Sequence, residues 1–454
     1  MAATRRATTW AAIAAAAALA LAGCGGGGGS GGSGSGAGNG GGSTGPINVL
    51  VGASAQYPEQ QKEWFTHIKD VFKQRTGADV NFETFASAAD EQTRIQTAVV
   101  SGEGPDVYSL GTTFTPVAYS TGAFTKLGPA EWTAVGGKDR FTPATLAMSG
   151  PNDTDQVGVP FLSRPFVMAY NKALFQQAGL SGPPTTWDQL VEYGKKLTKD
   201  GVHGVAVGYA DNYDPWKFVW MYANQYGNPL IDGKQVRLDD PTVVRAYQEY
   251  FGLLTEDKIV NPEAVGWSNP QALASFAAGK SAMMLMTTPT SIPTLDASPI
   301  ADQYVYAPMP AVPPGEAALP AGGRPATTIV SGDNIAVADY SRNKDLAFKF
   351  VELVTSEAEQ AHYTSVFGDL PANAAAATTI INSNAKLAPI IEAGKGAVAT
   401  PFTGAWSEVQ LALTNVAVQS RPELAAGAVP QGAIAGRLAE AQQAAQQALD
   451  RAGQ

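Results

Sequence analysis

The chain has 454 residues, 30 Lys+Arg against 40 Asp+Glu, and a formal net charge of −10. One hydrophobic core does not serve a chain of that length, so two or three domains are expected. The acids are scattered and no basic cluster offsets them, which argues against nucleic acid, whose affinity rests on Lys and Arg displacing counterions.

Cys24 is the only cysteine, so no disulfide forms within the chain. Arg5 and Arg6 precede the short apolar run Trp10 to Ala20, and Leu21, Ala22 and Gly23 lead directly into Cys24. That run is too short to span a membrane and reads as an export signal. Small residues before a lone cysteine resemble the bacterial lipobox, in which the cysteine carries lipid (palmitate among its acyl chains) and becomes the new N-terminus. Loss of residues 1–23 removes two arginines and takes the net charge from −10 to −12. Residues 24–45 are nearly all Gly and Ser, a composition that buries no core and acts as a tether. The G-x-G-x-x-G match at Gly36–Gly41 has neither a strand before it nor a helix after it, and is discounted.

Ile47 to Val51 is an apolar strand, and Tyr57 to Thr76 follows as a helix. Trp64, Phe65, Ile68, Val71 and Phe72 form one helical stripe, and Gly77 suits the C-terminal cap. Val80, Phe82 and Phe85 mark a second strand, Ala88 to Ser101 a second helix, and Pro105 to Leu110 a third strand. This order predicts a parallel α/β unit, with a ligand crevice beyond the strand ends at Ala53–Tyr57 and Gly111–Phe114. Between Gly158 and Lys172, Pro160 and Pro165 rule out a helix, so Phe166 to Tyr170 is read as a buried strand. Thr185 with Asp188 resembles a capping box before another helix. Val202 to Val207 is a strand, and an aromatic segment follows with Tyr209, Tyr213, Trp216, Phe218, Trp220 and Tyr222. Ala272 to Ala278 is helical, and Ser281 to Met286 is a buried strand entering the turn Thr287–Thr290. Residues 307–326 form a Pro- and Gly-rich loop. Asn334 to Ala338 is a strand, and Leu346, Phe350, Val351 and Val354 mark an amphipathic helix. A last Ala- and Gln-rich helix begins near Gly432 and is apolar enough to pack on a neighbour.

Catalytic signals are sparse. The histidines are His67, His203 and His362, with no H-E-x-x-H and no G-x-S-x-G. His67 falls on the polar side of its helix. No catalytic residue, metal site or cofactor is assigned. Paired carboxylates keep an exported glycoside hydrolase as the alternative of another class.

Five segments stand in the order seen in the family 1 extracellular solute-binding proteins: Ser101–Val107 (SGEGPDV), Gly158–Phe161 (GVPF) with Tyr170–Lys172 (YNK), Pro184–Trp187 (PTTW), Phe276–Met283 (FAAGKSAM) and Leu370–Ala372 (LPA). The chain resembles these sugar-capturing lipoproteins of ABC importers, relatives of the maltose-binding protein, over residues 46–454. The resemblance implies an α/β periplasmic-binding-protein-like fold: two lobes, a hinge crossed several times, and ligand in the cleft. It implies one lobe of 46–165 plus 333–378 and another of 166–332 plus 379–454, with the first crossing between Arg164 and Tyr170. The implied partners are a carbohydrate, the permease subunits and the membrane through Cys24, for a monomer on the extracytoplasmic face. A non-sugar ligand such as a polyamine is the alternative within the class.

Sugars present flat C–H faces and rings of hydroxyls, so their sites combine aromatic platforms with fixed polar groups. On the resemblance, Trp406 stands at a stacking position, and Tyr213, Asp214 and Trp216 lie in a segment that supplies an aromatic and an acid. Thr112 and Thr113 replace charged or amide side chains, and Thr288 and Thr290 flank a turn where an aromatic is common. Tyr57 and Asp333 complete the expected lining. Arg164 departs from the acid or amide common there. A guanidinium fork suits a carboxylate or phosphate, which suggests an acidic sugar. The alternative is that Arg164 pairs with Asp214, Asp333 or another acid of the protein.

Overall fold

Alternating apolar residues build the first sheet. Ile47 and Val49 face one side and Leu50 the other, and all three are buried. The structure, a computed structural model, describes residues 45–211 and 214–452. The strands are β1 Ile47–Gly52, β2 Val80–Phe85, β3 Val107–Gly111, β4 Val159–Ser163, β5 Val167–Asn171 and β6 His203–Ala206. They continue as β7 Ile231–Asp232, β8 Gln235–Val236, β9 Ser281–Thr287, β10 Tyr304–Ala307, β11 Gly332–Val337 and β12 Leu370–Pro371. One sheet has the order β12-β4-β11-β3-β1-β2 and a second the order β10-β5-β9-β6, while β7 and β8 form a small hairpin. In the first sheet β2 and β3 run parallel to β1, and β11 runs antiparallel to both β3 and β4. Each sheet carries its own apolar core, which makes two lobes.

The expected helix over Tyr57–Thr76 is Pro58–Thr76, with Trp64, Ile68 and Phe72 buried. Gly77 caps it at φ 76°, donating its N–H to the Lys73 carbonyl. The helix over Ala88–Ser101 has the expected bounds and is N-capped by Ser87. The expected start at Thr185 is corrected. Thr186 is the cap of Trp187–Leu197, while Thr185 bonds the Gln189 side chain. Asp188 instead accepts from the Gly315 N–H, tying the helix to the loop over 307–326. His67 is only partly solvated, because its Nε2 lies 2.9 Å from Glu359.

The last helix, Gln431–Ala452, buries Ile434, Leu438, Ala441, Ala445 and Ala448. Its polar side is also occupied. Gln442 and Gln446 bond the backbone of the β8 region at Val236, Leu238 and Lys234. Two-residue strands carry no periodicity, which is why the hairpin was not legible in advance. Among the described residues no helix is long and apolar enough to cross a membrane.

The chain leaves the first sheet at Ser163 and enters the second at Val167, with Arg164 to Phe166 between them. It returns between Ala307 and Gly332. The two passages lie side by side: the Arg164 N–H donates to the Ser331 carbonyl at 2.9 Å, and the Phe166 N–H to Thr328 Oγ1 at 2.8 Å. Gly332, at φ 151°, closes the second passage, and a Cβ there would fall 1.9 Å from the Leu162 carbonyl oxygen. That neighbour is backbone and has no rotamer to yield. Gly332→Ala is therefore expected to cost about 1–3 kcal/mol, read as a lower denaturant midpoint at unchanged slope.

Candidate functional site

Three clusters bring expected ligand residues together at the strand ends. The first spans the lobes. Tyr57, the residue before the helix Pro58–Thr76, donates its hydroxyl to the Thr290 carbonyl at 2.5 Å and lies 3.0 Å from Thr294 Oγ1. Gln56 Nε2 adds a bond to the same carbonyl at 3.1 Å. Thr288 and Thr290 bond each other through their hydroxyls at 2.8 Å. Met286, just before them, adopts φ 52°, a left-handed conformation that a non-glycine residue holds only when its surroundings enforce it.

The second cluster is aromatic. Trp406 begins the helix Trp406–Gln419 and Trp216 lies in the first turn of Pro215–Gln225. Their rings meet edge to face, with centroids 5.8 Å apart. Trp406 is fully buried and Trp216 nearly so, which corrects the expectation of an exposed stacking platform. Trp406 Nε1 and Gln410 Oε1, one turn apart on the same helix face, are both buried without a hydrogen-bond partner. A buried donor and acceptor left unpaired are costly, so each calls for a partner. Cross-lobe contact continues beside them: Gln92 Nε2 donates to Glu408 at 2.6 Å.

Asp214 was expected to face the ligand. Instead one of its carboxylate oxygens accepts from Lys217 at 2.5 Å and the other from Asn269 at 2.6 Å, with the group buried. Burial raises its pKa and Lys217 opposes the rise. Asp214 thus anchors the segment rather than facing a ligand freely. Tyr213 lies outside the described residues.

The third cluster answers the question posed by Arg164. Its Nε and Nη2 grip Asp369 at 2.6 and 3.0 Å, and Nη1 reaches Asp333 at 2.6 Å. The strand order explains this: β4 runs between β12 and β11, so a side chain just past its end reaches Asp333 on β11 and Asp369 immediately before β12. A register shift between Asp333 and Asn334 bends β11 at that point. An anion receptor at Arg164 is corrected accordingly, since two carboxylates of the protein already neutralise the fork. Burial pushes Asp369 up to about 6 against the lowering effect of Arg164. Arg164 itself is held well above its usual value by the two acids.

Thr112 gives its hydroxyl to the Val330 carbonyl at 3.1 Å, serving the second passage between the lobes. Thr113 is half-buried. Glu91 was missed. It is buried on the helix Ala88–Ser101, accepts the Gly111 N–H at 3.2 Å, and is driven well above the carboxylate range by burial, with the nearby Asp333 charge adding to the shift. Its signal was legible, because Glu91 interrupts the apolar stripe of Ala88, Ile95 and Ala98.

The model of the bacterial extracellular solute-binding proteins matches residues 55–361. The chain belongs to this family. A diacetylchitobiose-binding protein, DasA of Streptomyces coelicolor, is 26% identical over 357 residues, covering 77% of this chain and 79% of that protein. A putative binding protein of Brucella abortus is 25% identical over 378 residues, covering 81% and 86%. The maltose-bound MalE3 of T. maritima superposes with a TM-score of 0.72 at 20% identity, over 88% of this chain and 99% of that one. A ribitol-bound solute-binding protein of Agrobacterium radiobacter gives 0.71 at 22%, over 88% and 98%. As a member of this family the chain has the fold of two-lobed binding proteins of ABC importers, with sugar-binding neighbours.

For this solute-binding protein, Arg164→Ala leaves Asp369, whose side chain is 2% exposed, buried with no counter-charge. A loss of about 3 kcal/mol in unfolding free energy is expected, measured by urea titration. The pH dependence has a definite sign. Folded Asp369 holds its proton up to about 6, whereas an unfolded aspartate releases it near about 3.9. Its contribution therefore favours folding below that lower value and is lost as pH rises through the upper one. Asp369→Asn is expected to flatten the decline in stability over that interval, and an unchanged profile would remove Asp369 as its source.

Proposed function

We propose that the protein is an extracytoplasmic substrate-binding lipoprotein that captures a neutral mono- or oligosaccharide and delivers it to an ABC permease. The observation that carries the carbohydrate reading is the unpaired Trp406 Nε1 with Gln410 Oε1 one turn on, beside the Trp216 ring. A sugar hydroxyl both donates and accepts, so one edge of a sugar can satisfy the pair while its C–H face lies against an indole. A neutral ligand is supported by the pairing of the nearby cations with acids of the protein, Arg164 with Asp333 and Asp369 and Lys217 with Asp214. The relative named for diacetylchitobiose, itself an uncharged disaccharide, supports the same reading.

The proposal includes lipidation at Cys24, a tether over 24–45, and a monomer held on the outer face of the cell membrane. The lobes are taken as 46–165 with 333–378 and 166–332 with 379–454. Ligand closes them as rigid bodies about the paired passages.

A thermal-shift screen of residues 46–454 tests the function. Neutral mono- and oligosaccharides are expected to raise the melting temperature, with uronates, sugar phosphates and spermidine giving none. Trp406→Phe keeps a ring but removes the donor, and is expected to weaken the best sugar about tenfold. Shifts confined to spermidine or uronates would overturn the neutral-sugar reading, and turnover of a glycoside would move the case to a hydrolase.

A further inference from the structure

Outside the Arg164 cluster the lobes touch at two further places. At the first, Gln56 and Tyr57 of one lobe reach the turn after β9 in the other. The Tyr57 hydroxyl donates to the Thr290 carbonyl at 2.5 Å and lies 3.0 Å from Thr294 Oγ1. Gln56 Nε2 reaches the same two oxygens at 3.1 and 3.2 Å. Backbone closes in beside them: a Cβ at Gly368, just before β12, would fall 2.5 Å from the Pro289 carbonyl oxygen.

Each partner is held from within its own lobe. The Tyr57 N–H donates to Ser54 Oγ at 3.0 Å, and the Ser54 N–H to Gln61 Oε1 at 2.9 Å. On the other side Ser291 Oγ donates to the Thr288 carbonyl and lies against the Tyr306 hydroxyl, both at 2.7 Å. Groups already fixed in place lose little freedom when they meet, so their bond keeps most of its worth.

At the second place the chain around Trp406 meets two helices of the first lobe. Gln92, on Ala88–Ser101, donates to Glu408 at 2.6 Å, a charge-assisted bond. On Thr115–Thr121, the Tyr119 ring meets Phe402 edge to face with centroids 5.7 Å apart. A Cβ at Gly404 would fall 2.5 Å from Ser120 Oγ, so this approach is also close. The ligand cleft lies between the lobes, and contacts that join the lobes set how readily it opens.

We propose that these two contacts are clasps that hold the cleft shut through the protein's own groups. Tyr57 is then a positioning residue that sets the closed fraction, not a side chain that lines the ligand. None of the bonds involves a solute, so the protein populates the closed arrangement before a solute binds, and binding draws on that population. Loss of a clasp lowers the closed fraction, and the apparent affinity for whatever binds between the lobes falls with it.

The test places spin labels at Val100→Cys and Lys234→Cys in residues 46–454, which hold both cores and no cysteine of their own. Both positions are exposed, one on each lobe. Pulsed electron-resonance distances on the ligand-free protein are expected to include a closed population. Tyr57→Phe keeps the ring against Phe367 and is expected to lower the closed-to-open ratio about fivefold, the worth of one net hydrogen bond. Gln92→Leu is expected to lower it similarly from the second place. Tyr57→Phe combined with Thr294→Val is expected to act by less than the product of the single effects, because both remove one shared bond. A ligand-free protein that is open throughout, a ratio unmoved by Tyr57→Phe or Gln92→Leu, or fully independent effects in the double variant would each overturn the proposal. These distances need no sugar, so their failure is separate from failure of the neutral-sugar reading.

Discussion

The contact of Arg164 with Asp369 and Asp333 is the constraint on which the arrangement of the lobes depends. Arg164 follows the last residue of β4, where the chain leaves the first sheet, and it reaches Asp333 on β11 and Asp369 just before β12. It therefore fixes the three strand ends from which the interlobe passages depart. Its own N–H also pairs with Ser331 on the return passage. A bidentate guanidinium sets direction as well as distance, which a lysine in its place does not.

The cluster contributes little net stability, because burial raises Asp369 more than Arg164 lowers it. What it supplies is geometry and charge balance. The Arg164 guanidinium is paired within the protein, and burial drives Glu91 well above the carboxylate range. On the helix that begins at Trp406, Trp406 Nε1 and Gln410 Oε1 are a donor and an acceptor, both buried and unpaired. That pattern suits hydroxyls, which both donate and accept.

Strands and helices were legible where apolar periodicity was strong, as in Ser281–Thr287, buried throughout, and in Ala88–Ser101. The two prolines between Gly158 and Lys172 announced an extended passage, and the strand pairs place β4 and β5 in different sheets. Which acids would meet Arg164 was harder to read. Asp369 is far away in sequence and comes near only because β12 lies beside β4, an adjacency that local pattern does not encode. Asp214 looked like a ligand residue because its segment is aromatic, but Lys217 is one helical turn on and claims it. The hairpin of β7 and β8 was invisible because two-residue strands carry no periodicity, and glutamines of a distant helix bond its backbone.

The most direct measurement is a crystal structure of residues 46–454 with the neutral sugar that stabilises them best. The account predicts the sugar ring against the Trp406 and Trp216 wall, a hydroxyl oxygen within hydrogen-bond distance of Trp406 Nε1, and Arg164 still joined to Asp369 and Asp333. A sugar bound elsewhere, or an Arg164 released from both acids to hold the ligand, would contradict it.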